Sequence, residues 1–155
     1  MKRFTFIMVV LIGFGFTYSS HFRKEYYAVF ESNELSKMES LANSLDTKKD
    51  SKAYLGALKM KMAGFQKAPS QKLKTFKAGR ILLEESITKN KTQVEWRFLR
   101  LAVQEHAPKI VKYNSELKED AAFIAAHFST TPVELQKIIT NYAANSSILK
   151  LSEFK

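Results

Sequence analysis

The chain has 155 residues, 45% of them hydrophobic and 26% charged, and carries a formal charge of +10 at neutral pH. That length and composition give one modest globular core and exclude a disordered chain or several large domains. The absence of cysteine excludes disulfide staples, thiolate metal sites, thiol nucleophiles and a lipid-modified N-terminal cysteine, and five glycines with three prolines favour helices over a turn-rich sheet protein.

The first residues read as an export signal. Met1, Lys2 and Arg3 give a positive start, Phe4 to Phe16 is apolar without a charge, and Thr17, Tyr18, Ser19 and Ser20 follow, with cleavage expected after Ser19. The apolar run is shorter than the roughly 20 residues that span a bilayer, which favours a signal over its alternative, an uncleaved anchor. The expected division is a signal peptide over 1–19 and a helical domain over 20–155, exported to the periplasm or the exterior, with 145–155 as a loosely held tail. Cleavage removes Lys2 and Arg3 and lowers the charge from +10 to +8. The other lysines are spread over every segment instead of forming a stripe interleaved with aromatics, so the charge reads as solvated faces and not as nucleic-acid recognition. A weak attraction to anionic lipid headgroups or acidic polymers is the second reading of that charge.

Beyond the signal, Tyr26, Tyr27 and Phe30 form an aromatic cluster, read as closing a small core or as a partner surface. Leu35, Met38, Ala42 and Leu45 recur at helical spacing from Asn33 to about Asp46. The polar run from Thr47 to Ser51 breaks that helix and caps a second, with Tyr54, Leu55, Leu58, Met62 and Phe65 in one stripe and Gly64 as terminator. Its small residues Ala53, Gly56 and Ala57 allow a neighbouring helix to approach closely. Pro69 suits the first turn of a third helix with a Leu73, Phe76, Gly79, Leu83 and Ile87 stripe, in which Arg80 either pairs with Glu84 or extends along the apolar surface to water.

Asn90 ends this helix, and Thr92 with Glu95 has the capping-box pattern, so another helix is expected from about Gln93. On its wheel Val94, Phe98, Leu101 and Ala102 fall on one side and Trp96, Leu99 and Val103 on another, which buries it between two neighbours and leaves a narrow polar strip of Arg97, Arg100 and Gln104. Pro108 stops or kinks it just after His106. A further helix is capped by Asn114 or Ser115, with Leu117, Ala121, Ile124 and Phe128 on one face and Glu119 and Asp120 in its first turn. Thr131, Pro132 and Glu134 open the last, with Leu135, Ile138, Ile139 and Tyr142 inward. The expected fold is all-α: one domain of about five to six helices in antiparallel hairpins, partly repeat-like.

The segment from Lys52 to Asn90, with Gly79, Leu83 and Ser86 as small, large and small residues and Trp96 following, resembles a tetratricopeptide-repeat hairpin. Lys91 stands where that repeat places proline, the connection from Gly64 to Pro69 is longer than the repeat's, and no period of about 34 residues continues after Tyr113. The segments AYLGALKMKMAG, FKAGRILLEESI and VEWRFLRLAVQEHAPKI also resemble a group of small exported bacterial proteins, a likeness that implies a bacterial source and no particular activity.

The strip Arg97, Arg100 and Gln104, with His106, is the candidate ligand site, because two guanidiniums one turn apart grip a carboxylate or phosphate with paired hydrogen bonds. The structural alternative gives the arginines to Glu84, Glu85 or helix-end carbonyls, and makes His106 a helix-end cation. His21, His106 and His127 have no metal-ligand spacing, and no nucleophile elbow, phosphate loop or dinucleotide fingerprint occurs, so no metal, cofactor or catalytic residue is expected. Glu84 and Glu85 point about 100° apart on their helix and do not form a convergent acid pair. The expected function is a non-enzymatic protein- or peptide-binding scaffold with an envelope or secreted partner. Membrane contact is expected only through the signal segment, and a small acidic-ligand-binding or catalytic protein using an Arg and His site is the alternative.

Overall fold

The computed structural model describes residues 19–48 and 51–155; the expected signal segment lies outside the described residues apart from Ser19. Among the described residues there are seven α-helices and no strand, which upholds the all-helical class and corrects the expected count of five to six. The extra helix is α1 (Ser20–Glu31), built on the aromatic cluster: Arg23, Tyr26, Tyr27 and Phe30 stand at i, i+3, i+4 and i+7 and are all buried. Ser19 caps it, its Oγ accepting from the Phe22 N–H at 3.2 Å. Asn33, in the left-handed conformation at φ 55°, turns the chain into α2 (Leu35–Asp46), which buries Met38, Ala42 and Leu45 as expected.

Nine of the twelve residues of α3 (Lys52–Ala63) are buried. Its partner is α4 (Pro69–Lys89), entered through Pro69 at its first position. The two backbones meet at Gly56 and Gly79. A Cβ added to Gly56 would lie 2.6 Å from the Gly79 carbonyl oxygen, and one added to Gly79 would lie 2.5 Å from that of Gly56. The small residues therefore set the distance between the two helices, as the sequence indicated. Two stripe positions were misjudged: Phe65 lies beyond the end of α3 and is 38% exposed, and Leu73, on the flank of α4, is 46% exposed.

Buried on most of its circumference, α5 (Val94–His106) packs against α3, α4 and α6. The capping box expected at its start does not form. Thr92 Oγ1 donates instead to Asn90 Oδ1 at 3.1 Å, and Glu95 is turned into the core with no solvent exposure. A 3₁₀ turn at Lys109–Val111 ends in Lys112, left-handed at φ 46°, and leads to buried Tyr113. Then come α6 (Leu117–His127) and α7 (Val133–Ala143). At the start of α7, Thr131 Oγ1 donates to the Phe128 carbonyl, so the expected cap is absent there too. The tail is held, not loose. Leu149 is fully buried, Phe154 stacks on Phe128 with ring centres 4.3 Å apart, and Lys155 exchanges backbone hydrogen bonds with Ala125 and Ser129. None of the described helices is long and apolar enough to cross a membrane.

A candidate functional site on the fifth helix

At about 100° per residue, the polar strip of α5 faces α6 along the seam between them. Arg100 sets its guanidinium on Asp120 with a fork: Nε donates to Oδ2 at 2.7 Å and Nη2 to Oδ1 at 2.8 Å. Its Nη1 reaches back to Glu84 Oε2 of α4 at 2.9 Å. Arg97 donates to Asp120 Oδ1 at 3.0 Å and to Glu119 Oε1 at 2.7 Å, while its guanidinium covers the Phe123 ring. One turn further on, Gln104 Nε2 donates to Glu116 Oε2 at 2.6 Å. The site thus holds two arginines among four carboxylates, with Asp120 fully buried at the centre. Burial works against the Arg100 charge, but Asp120 and Glu84 more than offset it and raise its pKa.

Electrostatically the strip is saturated by the chain's own acids, and its forks clamp α5 to α6 and α4. Of the acids proposed as structural partners for the arginines, Glu84 takes part and Glu85 stays exposed without joining the clamp. Tyr113 completes the arrangement: its hydroxyl donates to Glu84 Oε1 at 2.5 Å and its ring carries the Arg80 guanidinium 4.6 Å above it. Arg80 thus takes the second of its expected positions, extended over an aromatic surface to water and not paired with Glu84. The amide oxygen of Gln104 is buried without a hydrogen-bond partner among the described residues.

His106 is not brought to this strip. It lies two turns from Arg100 on another side of α5, exposed, with Nδ1 3.0 Å from the Ala102 carbonyl and its ring edge-on to Tyr142. That is the helix-end role foreseen for it. His21 pairs with Glu25, His127 stacks on Phe123, and no group of three His, Asp or Glu side chains converges on a metal position among the described residues.

A second polar cluster on the same helix was not foreseen. Glu95 receives Arg23 Nε at 2.9 and 3.1 Å, the Tyr54 hydroxyl at 2.5 Å and the Tyr27 hydroxyl at 3.4 Å. Burial raises its pKa above the usual carboxylate range, opposed by the Tyr54 hydrogen bond and by Arg23. Burial first, and then Glu95 itself, pushes the Tyr27 and Tyr54 phenols upward, so both keep the protons they donate. A third cluster pins the tail: Glu105 accepts from Tyr142 Oη, Ser146 Oγ, Ser147 Oγ and the Ser147 N–H at 2.6–2.8 Å.

Signals for the missed residues were present. Asp120 stands with Leu117, Ala121 and Ile124 at helical spacing, a carboxylate inside an apolar stripe. Glu95 falls on the wheel between Ala102 and Leu99, so the two apolar sides of α5 are one broad arc with an acid in it. No family model, curated protein or solved structure matches the chain.

Proposed function

We propose that the chain is an exported, non-enzymatic helical scaffold, its hairpins partly repeat-like, that binds a polypeptide partner. The supporting observation is the outward face of α4. Only Phe76, Gly79, Leu83 and Ile87 of its 21 residues are buried, and Ile81 stands 58% exposed beside a shallow recess whose other walls are Glu84, Glu85, Thr88 and Lys89. These residues all belong to one helix, so the contact offered is a helix face. A partner segment that fits carries an apolar side chain for Ile81 and a cation for exposed Glu85. The internal use of Arg97 and Arg100 by Asp120, Glu84 and Glu119 favours this reading over an acidic-ligand site on the strip.

Peptide display on the immobilised protein tests it. Enriched peptides should combine an apolar anchor with a Lys or Arg, and their binding should weaken at least about tenfold on Ile81→Asp, the order expected for losing one apolar anchor. Peptides that bind Ile81→Asp as well as the unaltered protein, or no enrichment at all, would refute the proposal.

A further inference from the structure

The strongest unexplained surface lies at the opposite end of α4. From Ser51 to Leu83 the chain contains no acidic residue, and none occurs from His106 to Ser115. The fold brings these two acid-free segments together: the Tyr113 ring packs edge-on against Phe76 at 5.8 Å and lies under Arg80. Leu73 occupies that same flank of α4, one turn before Phe76. Immediately before Tyr113 the turn at Lys109–Val111 tucks Val111 against the core and leaves Ile110 87% exposed. Exposed Lys109 and Lys112 flank it, and exposed Lys72, Lys74 and Lys77 surround Leu73. Among the described residues none of these five lysines has an ion-pair partner, in contrast to the arginines of the α5 strip.

An almost fully exposed isoleucine at the tip of a turn costs solvation free energy for as long as it stays in water. Unpaired lysines around it exclude a cationic partner and favour an anionic one. Where an apolar tip and a ring of lysines coincide, both terms are satisfied at once by a surface with negative headgroups above an apolar layer. We infer that this end of the molecule is a docking face for an anionic lipid bilayer, with Ile110 entering the headgroup boundary and Lys109, Lys112, Lys72, Lys74 and Lys77 lying over the headgroups. The inference stands apart from the polypeptide-binding reading, because Ile81 and Glu85 lie further along α4, beyond the lysines. A soluble acidic polymer would satisfy the lysines but not Ile110.

The test is co-sedimentation of the full chain with vesicles of phosphatidylcholine, alone or with phosphatidylglycerol added. Binding should require phosphatidylglycerol and weaken with salt. Ile110→Asp should weaken it about tenfold, and Lys109→Glu with Lys112→Glu roughly fivefold for each lysine lost. Val133→Asp, at an exposed apolar position beyond the far end of α6, should leave it unchanged and controls for the loss of an exposed apolar side chain elsewhere on the surface. Ile110→Trp adds a local reporter, whose emission should shift to the blue on vesicles and be quenched by brominated lipid. Equal binding by Ile110→Asp and the unaltered chain overturns the inference. So does an introduced tryptophan that stays open to an aqueous quencher on vesicles. Tight binding to polyglutamate that ignores Ile110 assigns the lysines to an acidic polymer instead and also overturns it.

Discussion

Two of the three polar clusters on α5 solve the problem of buried charge differently. On one side of α5, Glu95 is a single anion held by one guanidinium and two phenols, closed off from solvent by α1 and α3. On the other, two arginines share Asp120 and spill outward to Glu84 and Glu119, which are 34% and 68% exposed. Among the described residues, the first cluster has one acid, which accepts from Arg23, Tyr54 and Tyr27. The second distributes its charge over several carboxylates that grade into water. A buried ion loses far more when its only counter-charge is removed than when a second remains, because the desolvation cost of the orphaned group is then uncompensated.

That contrast gives an ordered set of outcomes. Glu95→Ala should be the more damaging substitution, costing about 3–5 kcal/mol in urea unfolding, since it strips the acid facing Arg23, Tyr27 and Tyr54 at once. A loss below about 1 kcal/mol would mean that the aromatic packing of Tyr26, Tyr54 and Trp96 holds this region without the charge. Asp120→Ala should cost less, about 2–3 kcal/mol, because Arg100 keeps Glu84 and Arg97 keeps Glu119. If it proves equal to Glu95→Ala, the outer carboxylates contribute nothing and the distinction between the clusters fails.

The smallest effect concerns pH and compares Glu95 with Glu105 at the other end of the helix. Glu105 is partly buried, which acts to raise its pKa, but hydrogen bonds from Ser146, Tyr142 and Ser147 outweigh this and hold it below the ordinary 4.5. A lowered folded-state pKa adds stability above the unfolded value, and that stability is lost as pH falls from about 4.5 through the folded value. Glu95, with a raised pKa, has the opposite sign: its contribution declines as pH rises above 4.5 towards its folded value. Glu105→Gln should therefore cost about 0.5–1 kcal/mol at neutral pH, after allowing for solvent screening, and nothing at strongly acidic pH. Chemical denaturation at both pH values measures this, and a cost independent of pH would show that the tail is pinned by hydrogen bonding alone.

Much of the fold was legible residue by residue. The stripe of α2, that of α4 apart from Leu73 and that of α6 apart from Phe128, the entry through Pro69 and the end of α5 before Pro108 all follow from period and proline chemistry, and Gly56 announced the close approach of α3 and α4. What local rules misassigned were residues with two competing uses. Glu95 matches a capping box and also lies inside an apolar arc; the structure takes the second, because Arg23 and Tyr54 arrive from elsewhere to satisfy it. Thr131 matches a cap but donates to Phe128, and the tail, polar enough to read as loose, is gathered by Glu105.

By itself, then, the sequence determined the helical class, most helix positions, and the fact that Arg97, Arg100 and Gln104 form one strip, since these depend on spacing along a single helix. Only the tertiary structure decided that the strip faces Asp120 rather than solvent, that Glu95 is a core residue, and that the Ile110 turn lies beside the basic flank of α4. Those outcomes depend on which distant groups meet, and a carboxylate on one helix carries no local mark of the guanidinium that will reach it from another.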